Sequence, residues 1–376
     1  MAPTNMLSSD SHIVEPPDLW SSRLDREYRD RGPAVRQLDG SDWWFIDGRQ
    51  TMSFVGFQTG DRFDKDGTEL RTSSRFGDVR RGAYDPRAFI DENERDGVVG
   101  SVLYPSQGLM CFGIQDSALC SATMRAYNDA LAEFCSEDRR RLKGVGMVNV
   151  DDPLDGIGEM KRCRDLGLGA VMITVSPPPE KPYDHPMYEP FWSAAEDLAI
   201  PVAMHVATGR TALSPDPNQT SILNVAASAL CMQDVLFRKS IADIILGGVF
   251  ERHPKLRMGS VEHEVSWIPY FLWQMDYCYT DRPARAHWHR YKDKDALPSR
   301  YWRDHMWVSF QEDPHLTRII DVVGVETLAW GSDYPHTEST FPQSRAMIDR
   351  FLAGVPEAHQ RAIVRENTAR LFAFDV

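Results

Sequence analysis

The feature that most constrains the fold is a regular alternation of short apolar runs with longer segments of helical periodicity. The runs are rich in Val, Ile, Met and Leu without polar alternation, which is typical of strands covered on both faces. Candidate strands lie at Leu7–His12, Val98–Tyr104, Gly144–Val150, Ala170–Val175, Pro201–Val206, Leu256–Glu262, Met306–Phe310 and Thr327–Ser332. Repeated β-then-α order predicts a mostly parallel sheet with right-handed crossovers. Eight units favour an α/β fold closed into a (β/α)₈ TIM barrel, although a doubly wound open sheet would also alternate.

Helical segments separate the candidate strands, and several carry recognisable start signals. Asp85-Pro86 and Asp151-Asp152-Pro153 place a capping carboxylate before a proline, which is the order expected at a helix N-terminus. The predicted helices are Asp85–Asp96, Asp116–Arg139, Asp151–Leu166, Tyr188–Leu198, Ala229–His253, Pro314–Val323, Phe341–Leu352 and Pro356–Leu371.

Two regions interrupt the alternation. Residues 32–83 contain Asp39-Gly40 and Asp47-Gly48 on either side of an aromatic run, which predicts a small β-hairpin insertion after the first strand. Residues 281–301 are rich in Arg, His and Trp and are expected to form a loop or short helices. In a barrel, both insertions would be able to cover the C-terminal ends of the strands. With no repeat, low-complexity tract or linker, we expect residues 1–376 to form one domain.

Charge and composition exclude several classes of function. The formal net charge is −13 and the isoelectric point is about 5.3, so the surface repels phosphate backbones and anionic lipids. No stretch approaches the roughly 18 apolar residues that a membrane span needs, and the first ten residues lack the pattern of a signal peptide. The six cysteines contain no Cys-x-x-Cys pair and are typical of reduced thiols. We therefore expect a cytoplasmic protein that binds neither nucleic acid nor membrane.

Ionisable residues follow four of the candidate strands, where barrel enzymes keep their catalytic groups. Asp10 and His12 are two apart on the first strand and therefore point to the same face. His205 ends the fifth strand. Two further groups, at Glu262-His263 and between Asp333 and His336, follow the sixth and eighth strands.

Asp10, His12, His205 and Asp333 together suit one divalent ion of borderline softness, such as Zn²⁺, Mn²⁺ or Fe²⁺. Each residue also has an ordinary structural explanation. His205 alone fits a hydrogen-bonded core histidine, and Asp10 or Asp333 alone fits a turn. The combination at successive strand ends is much harder to explain as coincidence. Glu15, before Pro16-Pro17, fits a structural role better than a ligand role.

At these residues the sequence resembles the amidohydrolase superfamily, and within it the amidohydrolase-2 group that includes aminocarboxymuconate-semialdehyde decarboxylase-like enzymes. The likeness covers nearly the whole chain. Its most specific marks are Asp10-x-His12-x-x-Glu15-Pro16, His205-Val206-x-Thr208-Gly209, Trp267-Ile268-Pro269-Tyr270 and Gly331-Ser332-Asp333-Tyr334-Pro335-His336.

The resemblance implies a (β/α)₈ barrel with one divalent metal. It makes Asp10 and His12 the first-strand ligands, His205 the fifth-strand ligand and Asp333 the eighth-strand carboxylate. His263 matches the histidine that works beside the metal. Many relatives carry His-x-His or Glu-x-His on the first strand, so Asp10 is a departure that weakens an inference of zinc. Glu264-Val265-Ser266 also departs from the pattern of known decarboxylases.

Three functions remain open. The leading hypothesis is hydrolysis of a small organic acid, amide or lactone, in which metal-activated water attacks, Asp333 transfers the proton and His263 polarises the carbonyl. The alternative is non-oxidative decarboxylation of an aromatic or unsaturated carboxylic acid. The third is a catalytically inactive binding barrel.

A small-molecule substrate is expected in each case, and five residues are candidates to bind it. An arginine would suit a substrate carboxylate, and the sequence does not choose among the three available. The candidates are His336, Glu262, Arg210, Arg49 and Arg71. Trp273, Tyr277 and Tyr279, with the Arg-rich 281–301 segment, favour a homo-oligomer, a dimer or larger, because such residues are enriched at interfaces.

Overall fold

Eight parallel strands form the central sheet and follow one another around it in chain order, with a separate sheet of three antiparallel strands. A computed structural model describes residues 5–58, 60–64, 74–210 and 227–375. Its strands are β1 (Met6–Ile13), β2 (Ala34–Leu38), β3 (Ser41–Ile46), β4 (Arg49–Ser53), β5 (Val98–Pro105), β6 (Leu142–Met147), β7 (Ala170–Ile173), β8 (Val202–His205), β9 (Met258–Val261), β10 (Met306–Phe310) and β11 (Leu328–Trp330). All eight predicted barrel strands are present, with ends shifted by up to three residues.

The first and last strands meet and close the barrel. The backbone N–H of Asp333 donates to Asp10 O at 2.9 Å, and that of His12 donates to Tyr334 O at 2.6 Å. The Ser9 hydroxyl lies 2.7 Å from the Ser309 hydroxyl and also reaches carbonyls of β11. The (β/α)₈ prediction is therefore confirmed, and the open doubly wound sheet is excluded.

Helices fill the connections between strands, and their caps match the sequence signals. Asp85 accepts a hydrogen bond from Ala88 N, and Asp152 accepts one from Leu154 N. The helices are Leu19–Arg23, Asp61–Asp64, Pro86–Arg95, Ser117–Cys135, Pro153–Asp165, Glu189–Asp197, Ala227–Cys231, Asp234–Leu246, Val249–Arg252, Ile268–Asp281, Pro298–His305, Leu316–Val323, Ser344–Phe351, Glu357–Arg361 and Asn367–Phe372. Shorter 3₁₀ turns and one π turn join them.

One helical prediction was wrong, and one helix was missed. The helix expected over Ala229–His253 is three helices, divided at residues 232–233 and at Gly247-Gly248, where Gly248 has a positive φ of 72°. A further helix, Ile268–Asp281, was not predicted. Its exposed aromatic residues obscure the amphipathic pattern, since Tyr270 and Trp273 face solvent where a polar residue is expected.

The insertion after β1 is a three-stranded antiparallel sheet, one strand more than a simple hairpin. Asp39-Gly40 joins β2 to β3, and Asp47-Gly48 joins β3 to β4. All four turn residues have positive φ, between 50° and 80°, as two-residue hairpin turns require. The insertion continues toward the strand ends, where Thr337 N donates to Gly56 O at 2.7 Å. This contact agrees with a position near the mouth of the barrel, which stays a prediction for the insertion as a whole.

The second irregular region lies elsewhere. Tyr291 donates its hydroxyl to Ile245 O at 2.8 Å, and His289 lies 2.9 Å from Glu251. These partners precede β9, so the 281–301 segment packs toward the N-terminal end of the barrel. The expectation that it covers the C-terminal ends of the strands was therefore wrong. The helix Ile268–Asp281 carries the chain away from those ends first.

Among the described residues, every helix is too short or too polar to span a lipid bilayer.

Candidate metal centre

Four of the predicted site residues converge at the C-terminal end of the barrel. Asp10 and His12 lie on β1, His205 is the last residue of β8, and Asp333 follows β11. All four residues are buried, with exposed fractions between 0% and 3%. Parallel strands end at the same rim, so residues that are far apart in sequence meet here.

The donor atoms of these residues face one another. His12 Nε2 lies 3.3 Å from Asp10 Oδ1 and 3.3 Å from Asp333 Oδ1. His205 Nε2 lies 3.7 Å from Asp10 Oδ1. The other ring nitrogens are used by the protein, because His12 Nδ1 lies 2.8 Å from Pro105 O and His205 Nδ1 lies 3.0 Å from Val206 O. Each carbonyl makes Nδ1 the protonated nitrogen and leaves the Nε2 lone pair directed at the centre.

Carboxylates give this centre an excess of negative charge. Burial alone would raise the pKa of Asp10, but the nearby imidazoles of His12 and His205 lower it below its ordinary value. Burial opposes ionisation of Asp333 as well, and its pKa is nevertheless lowered by His336 and His12. Burial raises the pKa of Glu262 well above its ordinary value, and the charges of Asp333 and Asp10 add to that effect.

These residues fit a divalent metal ion. Asp10 Oδ1, His12 Nε2 and His205 Nε2 are buried and have no hydrogen-bond partner, a costly arrangement unless the atoms bind something else. Two carboxylates with two imidazoles form a donor set for an ion such as Zn²⁺, Mn²⁺ or Fe²⁺. A cation also neutralises the excess of carboxylates around the centre.

Glu262 and His336, predicted only as substrate-binding residues, lie within reach of the same centre. Glu262 Oε2 is 3.4 Å from His205 Nε2, and His336 Nδ1 is 2.8 Å from Asp333 Oδ1. Two compact groups of donor atoms, each within 4.8 Å, overlap here: one joins Asp10, His12, His205 and Glu262, and the other joins His12, Glu262, Asp333 and His336. Glu262 and Asp333 both have left-handed backbones, with φ of 62° and 57°, and such strain concentrates at functional sites.

His263 lies beside the centre as a neutral ring. Burial, with the neighbouring His205 as a smaller cause, lowers the pKa of His263 to about 3. Its Nδ1 lies 3.1 Å from the Ser260 hydroxyl, whereas its buried Nε2 has no partner. The ring stacks on Phe237 with centroids 4.7 Å apart. His263 is therefore held with one ring nitrogen available to a ligand.

The two arginine candidates that the structure describes do not join this cluster. Arg210 forms an ion pair with Asp151 and donates to the carbonyls of Phe112 and Ile114. These partners use its donors, and they explain its buried guanidinium without a substrate. Arg49 begins β4 beside the Asp47-Gly48 turn. Arg71 lies outside the described residues.

Sequence reasoning missed several residues at this end of the barrel. Tyr104 on β5 is fully buried, its hydroxyl has no partner, and its ring lies 5.2 Å from that of His205. Ser106 lies 3.1 Å from His336 Nε2. Glu15 accepts the backbone N–H groups of residues 106–108, so its structural interpretation is supported. Tyr104 and Ser106 lie at the predicted end of a strand, which was the available signal.

A cavity of about 500 Å³ lies at the opposite end of the barrel, away from these residues. It is lined by residues that precede β8 to β11, including Pro201, Arg257 and Thr327. In barrel enzymes this end contributes to stability and the other end carries the chemistry. We therefore assign the functional site to the buried cluster and not to this larger cavity.

Solved structures of other proteins have the same fold. An amidohydrolase from Mycobacterium avium subsp. paratuberculosis K-10 superposes with a TM-score of 0.76 at 23% identity, over 98% of each chain. A dihydroxybenzoic acid decarboxylase from Polaromonas sp. JS666, with bound manganese, superposes with a TM-score of 0.62 at 17% identity, over 98% of this chain and 97% of that one. These similarities establish the fold.

Curated relatives align over most of the chain. Gamma-resorcylate decarboxylase from Rhizobium sp. (strain MTP-10005) is 26% identical over 273 residues, which cover 67% of this chain and 76% of the relative. The 2-amino-3-carboxymuconate-6-semialdehyde decarboxylase of Dictyostelium discoideum is 24% identical over 286 residues, covering 75% and 74%. The family model described as Amidohydrolase matches residues 83–374. This chain therefore belongs to the amidohydrolase family of metal-dependent enzymes.

Proposed function

We propose that this protein is a metal-dependent decarboxylase of an aromatic or unsaturated carboxylic acid. The observation that carries the proposal is the decarboxylase activity in the names of both curated relatives described above. This reverses the order of the two reactions expected from the sequence, where hydrolysis came first. The departure at Glu264-Val265-Ser266, which argued against decarboxylation, is outweighed by these relatives.

Asp10, His12, His205 and Asp333 would hold one divalent metal ion. Mn²⁺ is our first choice because a relative with the same fold holds it and because carboxylate ligands suit it, with Zn²⁺ or Fe²⁺ as alternatives. When bound, the ion supplies a positive charge that binds the substrate carboxylate and stabilises negative charge developing during the reaction.

The residues around the centre exclude water and supply a proton. The negative charge of a substrate carboxylate beside Asp333 disfavours the ionised form of Asp333. Substrate binding therefore raises the pKa of Asp333. Asp333 would take up a proton from solvent as the substrate binds, and its carboxyl would then deliver that proton to the substrate carbon. The bond from that carbon to the carboxylate breaks, its electron pair takes the proton, and CO₂ leaves. The burial of the four ligands, at 3% exposure or less, keeps this step out of bulk water.

His263 would orient the substrate. With the Ser260 hydroxyl donating to its Nδ1, the neutral ring carries its proton on Nε2 and offers that N–H to a substrate oxygen. Because its pKa is about 3, the ring stays neutral throughout the physiological range. A neutral donor binds a substrate oxygen without adding a positive charge to the centre.

Hydrolysis remains the second candidate, since the same ligands could hold the ion for it. One specific observation favours it. Glu262 lies 3.4 Å from His205 Nε2, and burial raises its pKa well above the ordinary value, so it could take up a proton from water at the centre.

Elemental analysis tests the metal centre. We expect about one equivalent of Mn, Zn or Fe in wild-type protein and at least a tenfold weaker metal affinity in His205→Ala, which loses a ligand. His305→Ala is the matched control, because His305 is buried but contacts Leu256 O away from the cluster. Wild-type protein that binds none of these ions, even after they are added, would contradict the proposal.

Product analysis separates the two reactions. A panel including gamma-resorcylate and 2-amino-3-carboxymuconate-6-semialdehyde, the acids named in the two curated relatives, is incubated with metal-loaded protein in D₂O and, separately, in H₂¹⁸O. Decarboxylation predicts CO₂ release and deuterium at the vacated carbon, with no ¹⁸O in the organic product. Incorporation of ¹⁸O into that product, without loss of CO₂, would establish hydrolysis instead. Asp333→Asn should abolish deuterium incorporation.

A further inference from the structure

The end of β5 contacts two histidines of the centre through consecutive residues. Pro105 O lies 2.8 Å from His12 Nδ1, and the Ser106 hydroxyl lies 3.1 Å from His336 Nε2. The other nitrogen of His336, Nδ1, lies 2.8 Å from Asp333 Oδ1. Ser106, His336 and Asp333 therefore form one continuous chain of contacts that ends on a candidate metal ligand.

The turn that carries Ser106 is itself fixed. Glu15 is fully buried and accepts the backbone N–H groups of Ser106 at 3.1 Å, Gln107 at 2.8 Å and Gly108 at 3.0 Å. Three hydrogen bonds to one carboxylate hold these three residues in a single geometry. The Ser106 side chain is 4% exposed, so its hydroxyl has little access to water as an alternative partner.

The His336 ring is confined between other rings. Its centroid lies 4.0 Å from that of His12, with a 30° angle between the ring planes, and 5.4 Å from that of Phe57 in the insertion. This confinement leaves Nδ1 facing Asp333 and Nε2 facing Ser106. A carboxylate accepts only, so the contact with Asp333 favours the tautomer that carries the ring proton on Nδ1, and in that tautomer Nε2 accepts from the Ser106 hydroxyl.

A serine, a histidine and an aspartate in this order also describe the arrangement of a nucleophilic hydrolase. That function needs backbone N–H groups next to the serine to stabilise an oxyanion. Here the N–H groups of residues 106–108 already donate to Glu15. The N–H groups of this turn are therefore not available to stabilise an oxyanion. The contacts from Ser106 through His336 instead end on Asp333.

We propose that His336 is a positioning residue, held in one tautomer by Ser106, that orients the Asp333 carboxylate at the metal centre and is not itself a metal ligand. The inference rests on the proposed metal centre and deepens it. Four ligands are already available without His336, and its two nitrogens already have protein partners. It replaces the substrate-binding role predicted for His336 from the sequence.

Single substitutions separate positioning from ligation. His336→Asn keeps an amide N–H near the position of Nδ1 and loses the contact with Ser106, whereas His336→Ala loses both. Metal-depleted protein is titrated with Mn²⁺, and free Mn²⁺ is followed by its EPR signal. We expect about tenfold weaker binding for Ser106→Ala and His336→Asn, a larger loss for His336→Ala, and recovery in Ser106→Thr, which restores the hydroxyl.

A double mutant tests whether Ser106 acts through His336. Ser106→Ala should have no further effect in the His336→Asn background, because the contact is already lost. Exposed Ser21→Ala and His287→Asn serve as controls and should leave Mn²⁺ affinity and thermal stability unchanged. On a substrate, Ser106→Ala should lower kcat with little change in KM, since the proton donor and not the binding surface is displaced.

Three results would overturn the inference. Wild-type affinity in Ser106→Ala would show that the hydroxyl does not support the centre. A loss of Mn²⁺ in His336→Asn as complete as in His205→Ala would make His336 a ligand. Labelling of Ser106 by a fluorophosphonate would make it a nucleophile. If wild-type protein binds no Mn²⁺, Zn²⁺ or Fe²⁺, the proposed metal centre has failed and the inference fails with it.

Discussion

The two histidines of the centre each use one ring nitrogen on a backbone carbonyl and present the other to the ligand cluster. His12 depends on Pro105 O for this, and His205 depends on Val206 O. A carbonyl cannot donate a hydrogen bond, so it fixes the tautomer as well as the ring orientation. At the scale of single residues, the site depends as much on these partners as on the ligands.

Glu15→Gln tests this support away from the ligands themselves. Gln keeps one acceptor oxygen but replaces the other with an NH₂ group. That group would face at least one of the three backbone N–H donors of residues 106–108, so a buried hydrogen bond is lost. We expect unfolding free energy to fall by about 2 kcal/mol in chemical denaturation and Mn²⁺ affinity to fall with it. Exposed Glu357→Gln is the control, and unchanged stability in Glu15→Gln would contradict the role of the turn.

At the scale of elements, short polar links join the ends of helices to one another. Asp96 follows the helix Pro86–Arg95 and accepts hydrogen bonds from the backbone N–H and the hydroxyl of Ser344, the first residue of Ser344–Phe351. Burial raises the pKa of Asp96 to about 6, although the Ser344 contacts lower it. This link between two helices is therefore sensitive to pH.

The direction of that dependence follows from the raised pKa. Asp96 has a pKa of 3.8 in the unfolded state, so the folded state holds its proton more tightly. The stability gained from this tighter proton binding is lost as pH rises through about 6. Asp96→Asn cannot ionise. Its unfolding free energy relative to wild type should increase by about 1 kcal/mol from pH 5 to pH 8. Chemical denaturation at both pH values measures this, with exposed Asp91→Asn as control; a pH-independent difference would contradict it.

At the scale of the whole molecule, the seam between β1 and β11 couples closure of the barrel to the metal centre. Asp333 N donates to Asp10 O across this seam, so two candidate ligands are joined through the backbone. Gly331 packs against Asp10 at this seam. A Cβ on Gly331 would come within 2.6 Å of Asp10 Cβ and 2.9 Å of Ser309 Oγ. The seam has no space for a larger residue.

Gly331→Ala should therefore move β1 away from β11. We expect a loss of about 1–3 kcal/mol in unfolding free energy from overpacking, and weaker Mn²⁺ binding because Asp10 is displaced. Gly158→Ala is the matched control, since a Cβ on that exposed helical glycine meets nothing within 4 Å. Full metal affinity in Gly331→Ala would show that closure and the centre are independent.

Self-association of the whole molecule stays a prediction. Tyr270 and Trp273 are 61% and 57% exposed on Ile268–Asp281, and Trp273 stacks on Tyr277 with centroids 5.3 Å apart. Tyr279 instead stacks on Tyr291 of the same subunit. We expect light scattering after size exclusion to give a dimer or larger, and Trp273→Glu to reduce its mass. A wild-type mass of about 43 kDa, that of one chain, would contradict this.

The sequence by itself determined the fold class and pointed to four residues that meet at one end of the barrel. Strands buried on both faces read as continuous apolar runs, so their number and order were visible without a structure. Asp10, His12, His205 and Asp333 stood out because each ionisable group interrupts or follows such a run. The Asp-Gly turns were equally visible, because few residues adopt positive φ.

Only the tertiary structure decided which other residues reach the centre. Arg210 was a reasonable substrate ligand until its pairing with Asp151 was seen, and that pairing joins residues 59 positions apart. Glu262 and His336 changed from substrate candidates to neighbours of the ligands, at distances of 3.4 and 2.8 Å. The physical reason is that periodicity places a residue on a strand or helix, whereas the partner of a polar side chain depends on how strands distant in sequence are arranged around the closed barrel.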